Sequence, residues 1–164
     1  FASDEARDLL YWLQAVAGGL ETGAMLFVDY GYPRREYYSA QRRDGTLRAF
    51  HRHRVSNDVF ALPGLQDITA SVDFTALAEA GTGAGFDFAG YCSQASLLIG
   101  NGLEQCLAGQ ESRAADEAGR YALRQQAKQL TLPGAMGERF QAMGFSRGVE
   151  FGVAFLAGDL SFRL

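Results

Sequence analysis

Asp67, Thr69 and Asp73 lie close together in residues 63–74 (PGLQDITASVDF), a stretch too short and too polar to be core. Carboxylates beside a crevice can grip a cation through charge-assisted hydrogen bonds or serve as a general base. The same residues also suit turns and helix caps, and Asp73 fits a cap well. A further acid, Asp29, ends the apolar run AMLFVDY (24–30) and is followed by Gly31. An aspartate ending a buried strand loses hydration unless it finds partners. Asp29 with Tyr30 and Gly31 therefore either satisfies loop amides or edges a ligand crevice, because open α/β sheets bind ligands at the C-terminal ends of their strands.

Other candidate chemistries are weaker. Gly81, Gly83 and Gly85 spell GxGxG, but a phosphate- or nucleotide-cradling loop needs a strand before it and a helix after it. Here a helical segment precedes and FDF (86–88) follows, so the stretch is expected to be a helix stop and connector. Seven arginines (Arg34, Arg35, Arg42, Arg43, Arg48, Arg52 and Arg54) surround His51 and His53. A basic patch of this kind could meet nucleic acid, yet the chain carries a formal charge of −4, which disfavours that partner. No Cys, Asp or Glu stands at ligand spacing between the histidines, so no metal site is expected. Neither a nucleophile elbow nor a P-loop is present, and the sequence identifies no catalytic residue. Cys92 and Cys106 form no ligand pattern; both are expected to be buried thiols, and they fit a reducing cytoplasm.

The elements that would position these groups follow from periodicity. Ser3 is placed to cap a first helix, with Asp4 and Glu5 in its opening turn and Leu9, Leu10, Leu13, Val16 and Ala17 at helical spacing. Gly18 and Gly19 stop it. Residues 24–30 then read as a strand buried on both faces, and helix followed by buried strand is half of a βαβ unit. From 31 to about 72 the pattern dissolves into a long polar stretch in which 47–55 alternates poorly as a hairpin. A short helix capped by Asp73 or Ser71 is expected through Glu79, a strand around Phe86, Phe88 and Tyr91, and helices over 96–107 and 111–130. Residues 137–143 suit a short helix or the lead-in to a strand, and 151–156 a strand. The length of 164 residues is that of one domain, and 48% hydrophobic residues exclude a disordered chain. No apolar run is long enough to cross a bilayer, so no membrane partner is expected.

The order of DYG (29–31), GTL (45–47), PGxxDITAxVDF (63–74) and Gln94 with Leu97 and Leu98 resembles the MidA-like methyltransferases. That family includes a complex I assembly factor that methylates a protein arginine. MGERF (136–140) resembles the late motif of the family, and FLAGDL (155–160) the tail of its bacterial members. The resemblance spans nearly the whole chain. It implies an α/β fold, the C-terminal part of a Rossmann-like class I methyltransferase sheet with flanking helices and a long inserted loop. Residues 24–30 would be its fifth strand, and the later strands the antiparallel hairpin that closes it. It further implies S-adenosylmethionine as cofactor, a protein substrate, a crevice edge at Asp29, Tyr30 and Gly31, and a substrate-side loop holding Asp67, Thr69 and Asp73. The family's glycine-rich cofactor loop has no counterpart here. Residues 1–164 are thus expected to be the C-terminal part of a single methyltransferase domain whose cofactor-binding half is absent, and the chain alone to be inactive. A non-catalytic interaction or assembly module is the alternative.

Overall fold

The computed structural model describes residues 3–52 and 54–164, with the backbone only for 3–7. The expected cap at Ser3, its neighbours Asp4 and Glu5, and His53 lie outside the described side chains or residues. In chain order the elements are α1 (Ser3–Ala17), β1 (Gly23–Tyr32), α2 (Arg34–Tyr37), β2 (Arg48–His51), β3 (Arg54–Ser56), β4 (Asp67–Thr69) and β5 (Val72–Asp73). There follow α3 (Phe74–Gly83), β6 (Asp87–Ser93), α4 (Gln94–Gly100), α5 (Leu103–Glu111), α6 (Glu117–Thr131), α7 (Met136–Arg139) and β7 (Phe140–Arg147). Short 3-10 turns occupy Ala40–Arg42 and Ser161–Arg163.

Two sheets result. The larger has the order β5-β1-β7-β6, and the smaller the order β3-β2-β4. β7 runs antiparallel to both neighbours, pairing with β1 from Gly23↔Arg147 to Tyr30↔Phe140 and with β6 from Asp87↔Ser146 to Ser93↔Gln141. Among the described residues the other edge of β1 meets a strand only at its end, where Gly31 and Tyr32 pair in parallel with Val72 and Asp73. The smaller sheet is the hairpin that 47–55 hinted at, with β4 on its other side.

The strand expected at 24–30 is present, but it is not buried on both faces. Met25 and Phe27 pack against the core, whereas Leu26 is 49% exposed and Val28 42%. Side chains alternate across a strand, and α1 with α3 covers one face only. Leu13, Ala17, Phe74, Leu77, Phe86, Tyr91, Met143 and Phe145 form that covered core. Phe145 lies against Phe27 and Phe88 with ring centroids 6.1 and 6.0 Å apart, in edge-on geometry, the arrangement ring quadrupoles favour.

Several boundaries differ from the sequence expectation, each for a local reason. Val16 is exposed rather than part of the apolar stripe of α1. α3 runs on past Glu79 to Gly83, because Gly81 lets the helix meet Phe145: a Cβ there would stand 2.2 Å from the ring. The helix foreseen over 96–107 is two helices, split at Gly102, whose φ of 88° only glycine adopts readily. α6 starts at Glu117, not 111, since the carboxylate of Asp116 accepts from Gly119 N–H and caps it. Residues 151–156 form turns instead of a strand, and the strand is β7. Phe155 is buried against Gly90 and Gly144, where side chains would collide with its ring. Cys92 is buried and Cys106 exposed, which corrects the expectation for the second thiol. Burial pushes the Cys92 thiol up to about 11, so it stays protonated.

One arginine ties the helical layer to the sheet. Arg147, last in β7, donates to the carbonyl oxygens of Leu20, Ala84 and Gly85 at 2.9, 2.8 and 3.3 Å. Its guanidinium also stacks on Phe86 at 3.8 Å. Orphan carbonyls beyond the ends of α1 and α3 are thereby satisfied by one group.

Candidate active-site crevice

A cleft of about 1470 Å³ opens at the C-terminal end of β1. Tyr30, Gly31 and Tyr32 form its floor. Gly31 is required by close packing: a Cβ would stand 2.2 Å from the Val72 carbonyl oxygen and 2.8 Å from the Phe74 ring. This approach lets β5 dock on the tip of β1 and brings the small sheet over the crevice.

One wall is a face of that small sheet. Phe50 pairs with both Asp67 and Val55, and Arg48 with Thr69, so these side chains share a face by the alternation of strands. Arg48, Phe50, Asp67 and Thr69 all line the cleft. The opposite face carries Ala49, 1% exposed, and His51, whose Nδ1 lies 2.6 Å from the Leu65 carbonyl oxygen. His51 is thus engaged by a loop, and no metal-holding cluster exists among the described residues. Thr46 of the GTL stretch joins the wall to the rest: its Oγ1 accepts from Ser71 N–H at 3.1 Å and lies 3.4 Å from the Tyr37 hydroxyl.

Facing that wall are Glu138, Arg139 and Phe140, at the junction of α7 and β7. Phe140 meets Tyr30 edge-on with centroids 5.7 Å apart. Tyr91 and Ser93 close the back. Tyr91 is almost wholly buried, and desolvation drives its phenol above its usual range, so the hydroxyl remains neutral. At the mouth, Glu36 forms an ion pair with Arg163, and Arg42 donates to the Glu36 carbonyl oxygen at 2.6 Å while covering the Tyr32 ring at 3.7 Å.

The structure brings Asp67, Thr69, Tyr30 and Gly31 to the crevice but not Asp29 or Asp73. Asp29 sits on the Met25 and Phe27 face of β1 by alternation, with its Oδ1 2.7 Å from Tyr30 N. Asp73 caps α3 by accepting from Ala76 N–H at 3.0 Å, and its Oδ2 lies 3.4 Å from Arg34 Nε. Arg34 also forks onto Glu79 at 2.8 and 2.6 Å. Glu36, Tyr91 and Glu138 were not singled out by sequence. Glu138 lay inside the MGERF stretch, but nothing in its spacing placed it opposite Asp67. The carboxylate of Asp67 has no ion pair or hydrogen bond with the described residues, in contrast to Asp73.

The Arg34 fork has a pH signature. The guanidinium, through its hydrogen bonds, holds the Glu79 carboxyl below the usual range. A carboxyl depressed on folding adds stability above its unfolded pKa and loses it as pH falls through the folded value. Both partners are substantially exposed, so the contribution is at most about 1 kcal/mol. Arg34→Met should therefore lower the urea midpoint slightly at pH 7. Below the carboxylate range the difference from the parent chain should vanish; a deficit that persists in acid would mean the aliphatic packing of Arg34 matters more than its charge.

Comparison with known proteins places this geometry. Residues 6–92 match a family model described as "Putative S-adenosyl-L-methionine-dependent methyltransferase". The rat mitochondrial protein arginine methyltransferase NDUFAF7 is 32% identical over 118 residues, which is 72% of this chain and 25% of that protein. An uncharacterised protein from Burkholderia thailandensis superposes with a TM-score of 0.86 at 41% identity, covering 94% of this chain and 41% of its own. A Burkholderia thailandensis structure bound to S-adenosyl-homocysteine gives a TM-score of 0.85, also at 41% identity, with 94% and 40% covered. The chain thus spans a quarter of the rat protein's length and about two fifths of the solved ones. Its mixed sheet with flanking helices is that of a Rossmann-like methyltransferase. By the match over more than half of its residues, the chain belongs to the S-adenosyl-L-methionine-dependent methyltransferase family.

Proposed function

We propose that this chain is the acceptor-side, C-terminal part of a methyltransferase domain that transfers a methyl group from S-adenosylmethionine to an arginine side chain of a protein. The observation that carries the reading is the carboxylate of Asp67 on the crevice face of the small sheet, which no side chain or backbone group among the described residues engages. A planar guanidinium is best held by a carboxylate through two parallel N–H···O bonds. Thr69, on the same face, offers a hydroxyl, and Glu138 a second carboxylate across the cleft. The kinship with the rat protein arginine methyltransferase and with the Burkholderia protein that binds S-adenosyl-homocysteine supports both acceptor and cofactor.

The described residues fit the acceptor better than the cofactor. The glycine triad that could cradle an adenosyl group is taken up by α3 and the turn after it, with Gly81 against the Phe145 ring. When bound, the cofactor supplies an electrophilic methyl group. This chain's residues would grip and align the guanidinium and enclose it between two walls, and such positioning carries much of the rate in a transfer between two bound groups. Taken alone, the chain acts as an interaction module rather than a catalyst.

One titration and one substitution test the reading. Calorimetry of S-adenosylmethionine into these 164 residues should give no measurable heat, and micromolar affinity would contradict it. In a full-length parent carrying this segment, Asp67→Asn should reduce arginine methylation tenfold or more, the equivalent of losing about 1.5–3 kcal/mol of charged hydrogen bonding. Undiminished methylation would remove Asp67 from the acceptor site.

A further inference from the structure

Val55, Phe50 and Asp67 form a row straight across the small sheet. Phe50 pairs with Val55 on β3 and with Asp67 on β4, so the three side chains stand on one face. Phe50 and Asp67 line the crevice, while Val55, 60% exposed, lies one strand further out, beyond its lining. The row therefore leads from open solvent to the carboxylate over two strand spacings, about 10 Å.

Half of this row is ordinary sheet chemistry. An aromatic ring opposite a β-branched residue stabilises an antiparallel ladder. An aromatic ring opposite a carboxylate is no such pair, and departures from local rules of this kind gather at functional positions. A single exposed Phe would need no account. Phe50, 39% exposed, differs because its ring shares a crevice wall with an acid that no described residue engages. Arg48 stands on the same face, yet its guanidinium donates to the Leu47 carbonyl oxygen at 2.8 Å instead. A ring beside an open carboxylate matches a planar cation, which can lie flat on the one and fork onto the other. The chain already stacks guanidinium on ring twice with its own arginines: Arg42 covers Tyr32 at 3.7 Å, and Arg147 covers Phe86 at 3.8 Å.

We infer that Phe50 selects arginine over lysine in the crevice, by stacking against the guanidinium that Asp67 grips, with Val55 as the apolar ledge over which the side chain enters. An arginine stem suits that ledge, since its methylene groups cover apolar surface while the charged head reaches onward. The carboxylate attracts either cation. The ring supplies the difference, because a weakly hydrated plane gains more from an aromatic face than a compact, strongly hydrated ammonium does. This role rests on arginine being the acceptor, as proposed above, and adds the group that discriminates it.

The test uses the chain itself, with glycine-flanked arginine, lysine and citrulline peptides as probes. NMR titration follows the amides of β2 and β4 and the peptides' own side-chain protons. The arginine peptide should bind about fivefold more tightly than the lysine peptide, within the span of a cation–π contact. Its δ-methylene protons should move upfield, the signature of an aromatic ring beneath them, and the planar but neutral citrulline peptide should bind most weakly. Phe50→Leu should bring arginine and lysine to equal affinity and abolish the upfield shift, whereas Phe50→Tyr should keep both effects. Asp67→Asn should weaken arginine and lysine alike. Selectivity and upfield shift that survive in Phe50→Leu would overturn the inference and leave the arginine acceptor standing. So would an unshifted arginine peptide whose binding still depends on Asp67, a result read in the parent chain even if Phe50→Leu unfolds the small sheet. No binding of the arginine peptide, or binding indifferent to Asp67→Asn, would overturn the inference and the proposed function together.

Discussion

Phe145→Ala is expected to lower the unfolding free energy by about 3–5 kcal/mol, the range for removing a fully buried aromatic ring. Phe145 is 0% exposed and touches three parts of the fold at once. It contacts Phe27 of β1, Phe88 of β6 and the backbone of α3 at Gly81. Helix and sheet cannot close the gap without shifting both, because a cavity relaxes only partly in a close-packed interior. Urea denaturation of the chain should show a lower midpoint with an unchanged slope. A loss below about 1 kcal/mol would mean that the aromatic cluster repacks freely.

The second large effect is expected at Gly31. Its alanine variant places a methyl group 2.2 Å from the Val72 carbonyl oxygen and 2.9 Å from the Val72 nitrogen. These are backbone atoms, so no rotamer change relieves the clash, and the third neighbour is the buried ring of Phe74. Overpacking of this kind costs about 3 kcal/mol at the upper end of its usual range. The damage is directional: β5 must leave β1, and with it moves the wall bearing Asp67. If the proposed function holds, Gly31→Ala in a longer methyltransferase carrying this segment loses methylation as well as stability. Gly109→Ala serves as the control, since that helical position has open space around it and gains helix propensity of up to about 1 kcal/mol. Equal melting of the two variants would show that the approach of β5 is not what Gly31 provides.

Local chemistry made much of this architecture legible. The run 24–30, the glycine stop after Ala17 and the cap at Asp73 depend on neighbours close in sequence, and each appears where the pattern put it. What failed to show depended on distant partners. β1 reads as doubly buried because Leu26 and Val28 are apolar, yet what covers them is not set by the strand itself. The lead-in to a strand read over 137–143 is α7 and the start of β7, but the extent of β7 did not show because Gly144 sits in its centre, a residue that weakens a strand signal; the glycine admits the Phe155 ring from the following turn. In the crevice, Asp67 and Thr69 stood out by type and spacing. Tyr91 and Glu138 did not, since they come to the cleft through the β6–β7 pairing and the short α7. Asp29 shows the limit of reading by type: the strand's alternation, invisible to composition, turns it toward the helices and its neighbour Tyr30 toward the cleft.

The reach of Arg147 has a consequence for how the molecule comes apart. One side chain holds the carbonyl groups just beyond both α1 and α3, so a displacement of Arg147 frees both helix ends at once. Fluctuations there must be shared, and local openings of this kind occur in cooperative units. A protease probing the folded chain should meet the turns at 18–22 and 84–86 as a single gate, with cuts at the two places arising together and at the same rate.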